Sequence, residues 1–229
     1  MHARCLALAA MISSLAGCQA HLPVPREVSA LGASSLSRPD LARRQAQLKA
    51  QAGLALVLNP QAIAFELRRA HGESLLALRV TDTPLEGIEL EFSALPGGGV
   101  LARARATRSP EALAELEGLA TRSAVVTRTD ARPELALEPA RRQALRDLVL
   151  AGVGPGREDL RCTGVLTLVE LLEELGSGSA RVEARGSVRV LERAPLTPEE
   201  ARDVVREAAA ERESLEGAVE AMEEAAEGS

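Results

Sequence analysis

The chain has 229 residues, and 33 acidic against 27 basic side chains give a formal net charge of −6 at pH 7. That balance disfavours nucleic acid as a partner, because nucleic acid recognition leaves a basic footprint. With no Trp, no Tyr and only two Phe, the core must be aliphatic, and the length suits one domain better than two large ones.

At the N-terminus, His2 and Arg4 precede an apolar run from Leu6 to Ile12, the order of an export signal. The run falls short of the roughly 20 residues that a helix needs to cross a bilayer. Leu15-Ala16-Gly17-Cys18 resembles the bacterial lipobox. The resemblance implies cleavage before Cys18 and acylation of its sulfur, so Cys18 is the expected lipidation site. Residues 1–17 then form a lipoprotein signal peptide and residues 18–36 a lipidated tether, containing Pro23, Pro25 and several serines. Gln19, rather than Asp, follows the cysteine, which resembles the outer-membrane class of lipoproteins. The expected location is the cell envelope, lipid-anchored at the periplasmic face of the outer membrane. Cys5 leaves with the signal, so Cys162 stands alone. No internal disulfide can form, and Cys162 reads as a small core residue.

Ser37, Pro39 and Asp40 predict the start of a leading helix that Gly53 can end. The period then changes to two. Ile63, Phe65 and Leu67 alternate with Ala64, Glu66 and Arg68, and Leu76, Leu78 and Val80 with Ala77, Arg79 and Thr81, across a turn at His71-Gly72. Two further runs, Ile88 to Phe92 and Ala102 to Ala106, complete four consecutive half-buried strands. Together they predict an antiparallel meander. Ser109-Pro110-Glu111 predicts a short helix, Ala124 to Thr129 a strand, and Glu138 to Ala151 a helix stopped by Gly152. Strands over Arg161–Val169 and Ala180–Leu191 follow.

Thr197-Pro198-Glu199-Glu200 is a capping box that launches a helix reaching to about Ala226. Its apolar stripe is narrow, and from Glu199 onward 11 acidic residues face three arginines. Residues 37–193 are thus expected to form a β domain with a leading helix, and residues 194–229 an acidic C-terminal helix.

The strand order from Leu56 to Leu191 resembles the late embryogenesis abundant type 2 domain, also called the water stress and hypersensitive response (WHy) domain. The corresponding stretches are Ala62–Arg69, Leu75–Pro84, Leu85–Phe92 and Val100–Arg103, and later Cys162–Leu166 and Ala184–Val188, these last two each carrying an interior glycine. Gly164 and Gly186 in paired strands would serve a close backbone approach or a bulge. The resemblance implies a mainly β fold, a small fibronectin- or immunoglobulin-like antiparallel β-sandwich with a helix inserted before the last two strands. The residues alone also admit an α+β fold with one antiparallel sheet covered by helices. The family's association with desiccation implies a non-enzymatic, stress-protective role, or an apolar ligand or lipid held between the sheets.

Catalysis and metal binding find little support. Hydrolysis needs a base beside its nucleophile, yet the mature chain offers only His21 in the tether and His71 in a turn. One His and one free Cys do not supply a zinc site, and no cofactor is expected. Gly152 to Arg157 lacks the Lys-Ser/Thr ending of a phosphate loop. The expected partners are a membrane, reached through the lipid on Cys18, and either an apolar ligand or an envelope protein. Scaffolding of such a protein by the acidic C-terminal helix is the alternative function.

Overall fold

The computed structural model describes residues 23–58, 63–80, 85, 87–95, 98–130, 132–156 and 159–211. The elements run β1 (Glu27–Ser34), α1 (Pro39–Leu58), β2 (Ile63–Ala70), β3 (Glu73–Val80), β4 (Glu89–Ala94), β5 (Val100–Thr107), α2 (Pro110–Leu116), β6 (Arg122–Thr129), α3 (Pro133–Val153), β7 (Leu160–Leu175) and β8 (Ser179–Pro195). A last helix, α4, covers residues 198–211. The chain is mainly β, with antiparallel sheets of order β1-β5-β4 and β3-β2-β7-β8-β6 in a sandwich-like arrangement. A helix precedes the last two strands, as the sequence predicts.

Three expectations need correction. The stretch expected to be a tether contains β1, which pairs with β5 along its whole length and buries Val28, Ala30, Leu31 and Ala33. The folded domain therefore starts by Glu27. The expected meander is divided: β2 and β3 form one hairpin, β4 and β5 another, and they lie in different sheets. Alternation fixes which face a strand buries but not its neighbour. Here the second edge of β2 is taken by β7, and that of β5 by β1. Finally, neither Gly53 nor Gly152 stops its helix, since α1 reaches Leu58 and α3 reaches Val153. Both are packing positions: a Cβ on Gly53 would meet Ala30 and the Arg141 guanidinium at 2.9 and 3.0 Å, and one on Gly152 would lie 2.3 Å from Val188 Cβ.

Another local signal acts as read: Ser109 accepts from the Ala112 N–H and caps α2. The end of α3 falls two residues beyond the expected stop, at Gly154, which at φ 92° donates its N–H to the Leu150 carbonyl. The expected Thr81–Pro84 turn, and the C-terminal helix beyond residue 211, lie outside the described residues.

The topology contains the same unit twice. In β1-α1-β4-β5 and again in β6-α3-β7-β8, the first strand pairs with the last, and the last pairs with the third. Each helix packs on the first and last strands of its own unit. Ala42-Arg43-Arg44-Gln45-Ala46 in α1 recurs as Ala140-Arg141-Arg142-Gln143-Ala144 in α3. All four alanines are buried. Both glutamines accept a hydrogen bond from the end of their unit's first strand, Gln45 from Ser34 and Gln143 from Arg128. The β2–β3 hairpin is an insertion in the first unit that joins the sheet of the second. Alanine on both helices and on β5 and β8 lets helix and sheet approach closely, so the core is dense in small side chains.

Gly164 and Gly186 show why the long strands carry glycine. The β7–β8 ladder shifts register between Thr163 and Gly164 and again between Leu168 and Glu170, the second shift beside the Leu168–Gly186 pair. A Cβ on Gly164 would sit 2.3 Å from the Arg189 carbonyl oxygen and 2.6 Å from the Phe65 ring. Gly164→Ala is expected to lower the unfolding free energy by about 1–3 kcal/mol, read from urea denaturation followed by circular dichroism.

Candidate functional site

Where β7 extends beyond its pairing with β2, which ends at Leu166, its free edge faces the outer edge of β1. No backbone ladder joins the two. Side chains replace it: the Leu31 N–H donates to Glu173 Oε2 at 2.7 Å, and the Leu31 carbonyl accepts from Arg141 Nη2. Arg141 Nε donates to Glu173 Oε1, and its Nη1 to Glu138 Oε2 at 2.8 Å. The Arg141 and Glu173 side chains are 4% and 1% exposed, so this ion pair lies inside the protein. Burial works against the Arg141 charge, but the charge and hydrogen bond of Glu173, helped by Glu138, outweigh it and raise its pKa.

Two more buried arginines continue the seam. Arg108 donates to the carbonyls of Pro25, Val57 and Val169 at 2.8–2.9 Å. Val57 is in the last turn of α1, where carbonyls lack helical partners, and Val169 is the residue that the β7–β8 register skips. One guanidinium thus serves a helix end, a bulge and the entry to β1. Burial lowers its pKa to about 10, with Glu170 pulling upward and Arg185 downward; it stays charged at neutral pH. Arg185 pairs with Glu170 at 3.0 Å and donates to the Pro23 carbonyl at 3.1 Å. Chemically, these groups hold chain segments in place. Beside the seam, a niche of about 10 Å³ lined by Leu31, Lys49, Glu134 and Glu138 has the room of one water.

The residues singled out from the sequence do not converge on this seam. Cys18 lies outside the described residues. His71 occupies the β2–β3 turn at φ 50°, its ring 66% exposed and 3.6 Å from Asp159. Cys162 is fully buried in β7, and burial raises its thiol pKa against the pull of Arg193 and Arg69. Among the described residues, no group of three or more His, Cys, Asp or Glu could hold a metal ion. In α4, Ala201, Val204 and Ala208 pack on Ala70 and Leu75 of the β2–β3 hairpin, while Glu207 pairs with Arg68 and Glu211 with Arg146. The described part of the C-terminal helix therefore docks on its own domain.

Sequence reasoning missed Arg108, Arg141, Glu173 and Arg185. Two signals were present: Arg141 stands among the core positions Leu137, Ala140, Ala144, Leu145 and Leu148, and its pentapeptide repeats that of α1. Compared with known proteins, the chain matches no family model, no curated protein and no solved structure.

Removing one partner of a buried ion pair leaves the other charge uncompensated. Glu173→Gln is therefore expected to cost about 3–5 kcal/mol of stability, measured by guanidinium denaturation, and a loss under about 1 kcal/mol would show that Arg141 finds another acceptor. In protein carrying Cys5→Ser and Cys18→Ser, the Cys162 thiol should resist a disulfide reagent until denaturant unfolds the domain. Rapid labelling of the native state would contradict its burial.

Proposed function

We propose that this is a membrane-anchored, non-enzymatic lipoprotein of the bacterial envelope, tethered by lipid on Cys18 at the periplasmic face of the outer membrane. The observation that carries the reading is the Leu15-Ala16-Gly17-Cys18 quartet directly behind a charged start and a short apolar run. The structure sets the reach of such an anchor: β1 begins at Glu27, nine positions after Cys18, so a lipid there would hold the first strand within about 32 Å of its attachment point. The buried charges bind one another and the backbone, which suits a structural or binding domain.

The role of that domain is protective or partner-binding. The stress-protective part of the proposal rests on the strand stretches similar to the WHy family, whose described residues fall largely in β2, β3, β4, β5, β7 and β8. An apolar ligand held between the sheets would have to lie among the aliphatic side chains of the core cluster, such as Leu54, Ile63, Leu148 and Leu166. One observation favours the scaffolding alternative in a modified form. The apolar stripe of α4 is engaged on the domain itself, while Arg202, Arg206, Glu207 and Glu211 stay exposed, so a partner would meet the charged face of α4 rather than its apolar one.

The test is to express the full chain in a bacterium, recover it from membranes and weigh its N-terminal peptide. A diacylglyceryl cysteine at position 18, with Cys18→Ser moving the protein to the soluble fraction, is the expected result. An unmodified Cys18 in membrane-free protein would overturn the anchoring.

A further inference from the structure

The seam joins unlike edges of the two repeated units: β1, a first strand, lies on β7, a third strand. The same two positions recur at edges of the two sheets: among the described residues, β4, the third strand of the first unit, and β6, the first strand of the second, each have a single hydrogen-bonded neighbour. We propose that β6 of one molecule seats along β4 of another, repeating between copies the contact that β1 makes with β7 inside one copy. The proposal rests on the fold and is independent of the lipid anchor.

The repeat supplies the chemistry. Arg43 occupies in α1 the place that Arg141 has in α3, within the shared Ala-Arg-Arg-Gln-Ala run. Where Arg141 is buried on Glu173 and the Leu31 carbonyl, Arg43 is exposed, its guanidinium 4.2 Å above the Phe92 ring of β4. It is held at the open edge with hydrogen-bond donors to spare. When the buried Ala102 and Ala104 of β5 are set level with the buried Ala180 and Val182 of β8, Leu31 in β1, opposite Arg103, corresponds to Thr127 in β6, opposite Arg181. A β6 strand seated on β4 would offer Arg43 the Thr127 carbonyl, as β1 offers Arg141 that of Leu31.

Charge agrees. β4 carries Glu89 and Glu91 and no base, whereas β6 carries Arg122 and Arg128 and no acid; Glu91 is paired with Arg105 of β5 and Arg128 is bonded to Gln143, so the attraction between the unlike edges rests chiefly on Glu89 and Arg122. Val125, 52% exposed at the middle of β6, would lose its contact with water. The external seam is also weaker than the internal one. Leu90 stands at the register position of Glu173, so no carboxylate receives the incoming N–H, and the association is reversible. Because unlike edges meet, it generates rings or chains.

Sedimentation velocity on the full-length Cys18→Ser protein over a concentration series provides the test. Self-association is expected, weakened at least about tenfold by Arg43→Ala, the loss of one hydrogen bond from a charged donor. The neighbouring Arg44→Ala, also exposed, should leave it unchanged. Glu89→Lys should weaken it as well, and gives a second reading should Arg43→Ala disturb the fold. A protein that stays monomeric throughout, or an association indifferent to both Arg43→Ala and Glu89→Lys, would overturn the proposal.

Discussion

Two sheets can share a core only if the edges they turn toward each other are satisfied, and here that requirement falls on Arg141 and Glu173. Between them they accept the N–H and bind the carbonyl of Leu31, replacing a ladder rung that β1 and β7 do not form. A buried ion pair contributes little by itself, since desolvation offsets much of the attraction. Its weight here comes from what it leaves satisfied: an unpaired peptide group at this depth would carry the full cost of desolvation. Gly53 belongs to the same arrangement, because any larger residue on α1 would occupy the space of the Arg141 guanidinium.

Arg108 extends the principle to irregular backbone. A helix end, a bulge and the approach to an edge strand each expose carbonyls, and a guanidinium with five donors can serve all three from one place. Lysine, with a single ammonium, would not span Pro25, Val57 and Val169 together. The lowered pKa of Arg108 reflects the cost of burial in this placement, which the charge of nearby Glu170 partly offsets.

Much of this fold was legible because its strands alternate cleanly. β2, β5 and β8 each alternate apolar or small residues with polar ones over most of their length, and the cap at Ser109 marks a real helix start. β1 was not legible: Glu-Val-Ser-Ala-Leu-Gly-Ala-Ser has Val28 alone among the β-branched and aromatic residues that announce a strand, and it is fixed by pairing with β5. The glycines misled where their role was packing, for a sequence does not show whether Gly53 frees the backbone or makes room for a neighbour. The seam stayed hidden because a buried arginine and an exposed one are spelled alike, and only its place among the core positions of α3 and the recurrence of Ala-Arg-Arg-Gln-Ala set Arg141 apart.

The inserted β2–β3 hairpin also governs the order in which the molecule can form. Its outer partner, β7, lies about a hundred positions further along the chain, and the Leu31–Glu173 contact spans 142. Distant pairings are slow to find, because loop closure precedes their reward. Until β7 arrives, the chain holds a hairpin with both edges open and an apolar face uncovered, a species prone to pair with other chains. A nascent chain would need a holding factor or rapid completion to pass this stage, and the burden falls on the hairpin rather than on the two repeated units, whose pairings are more local.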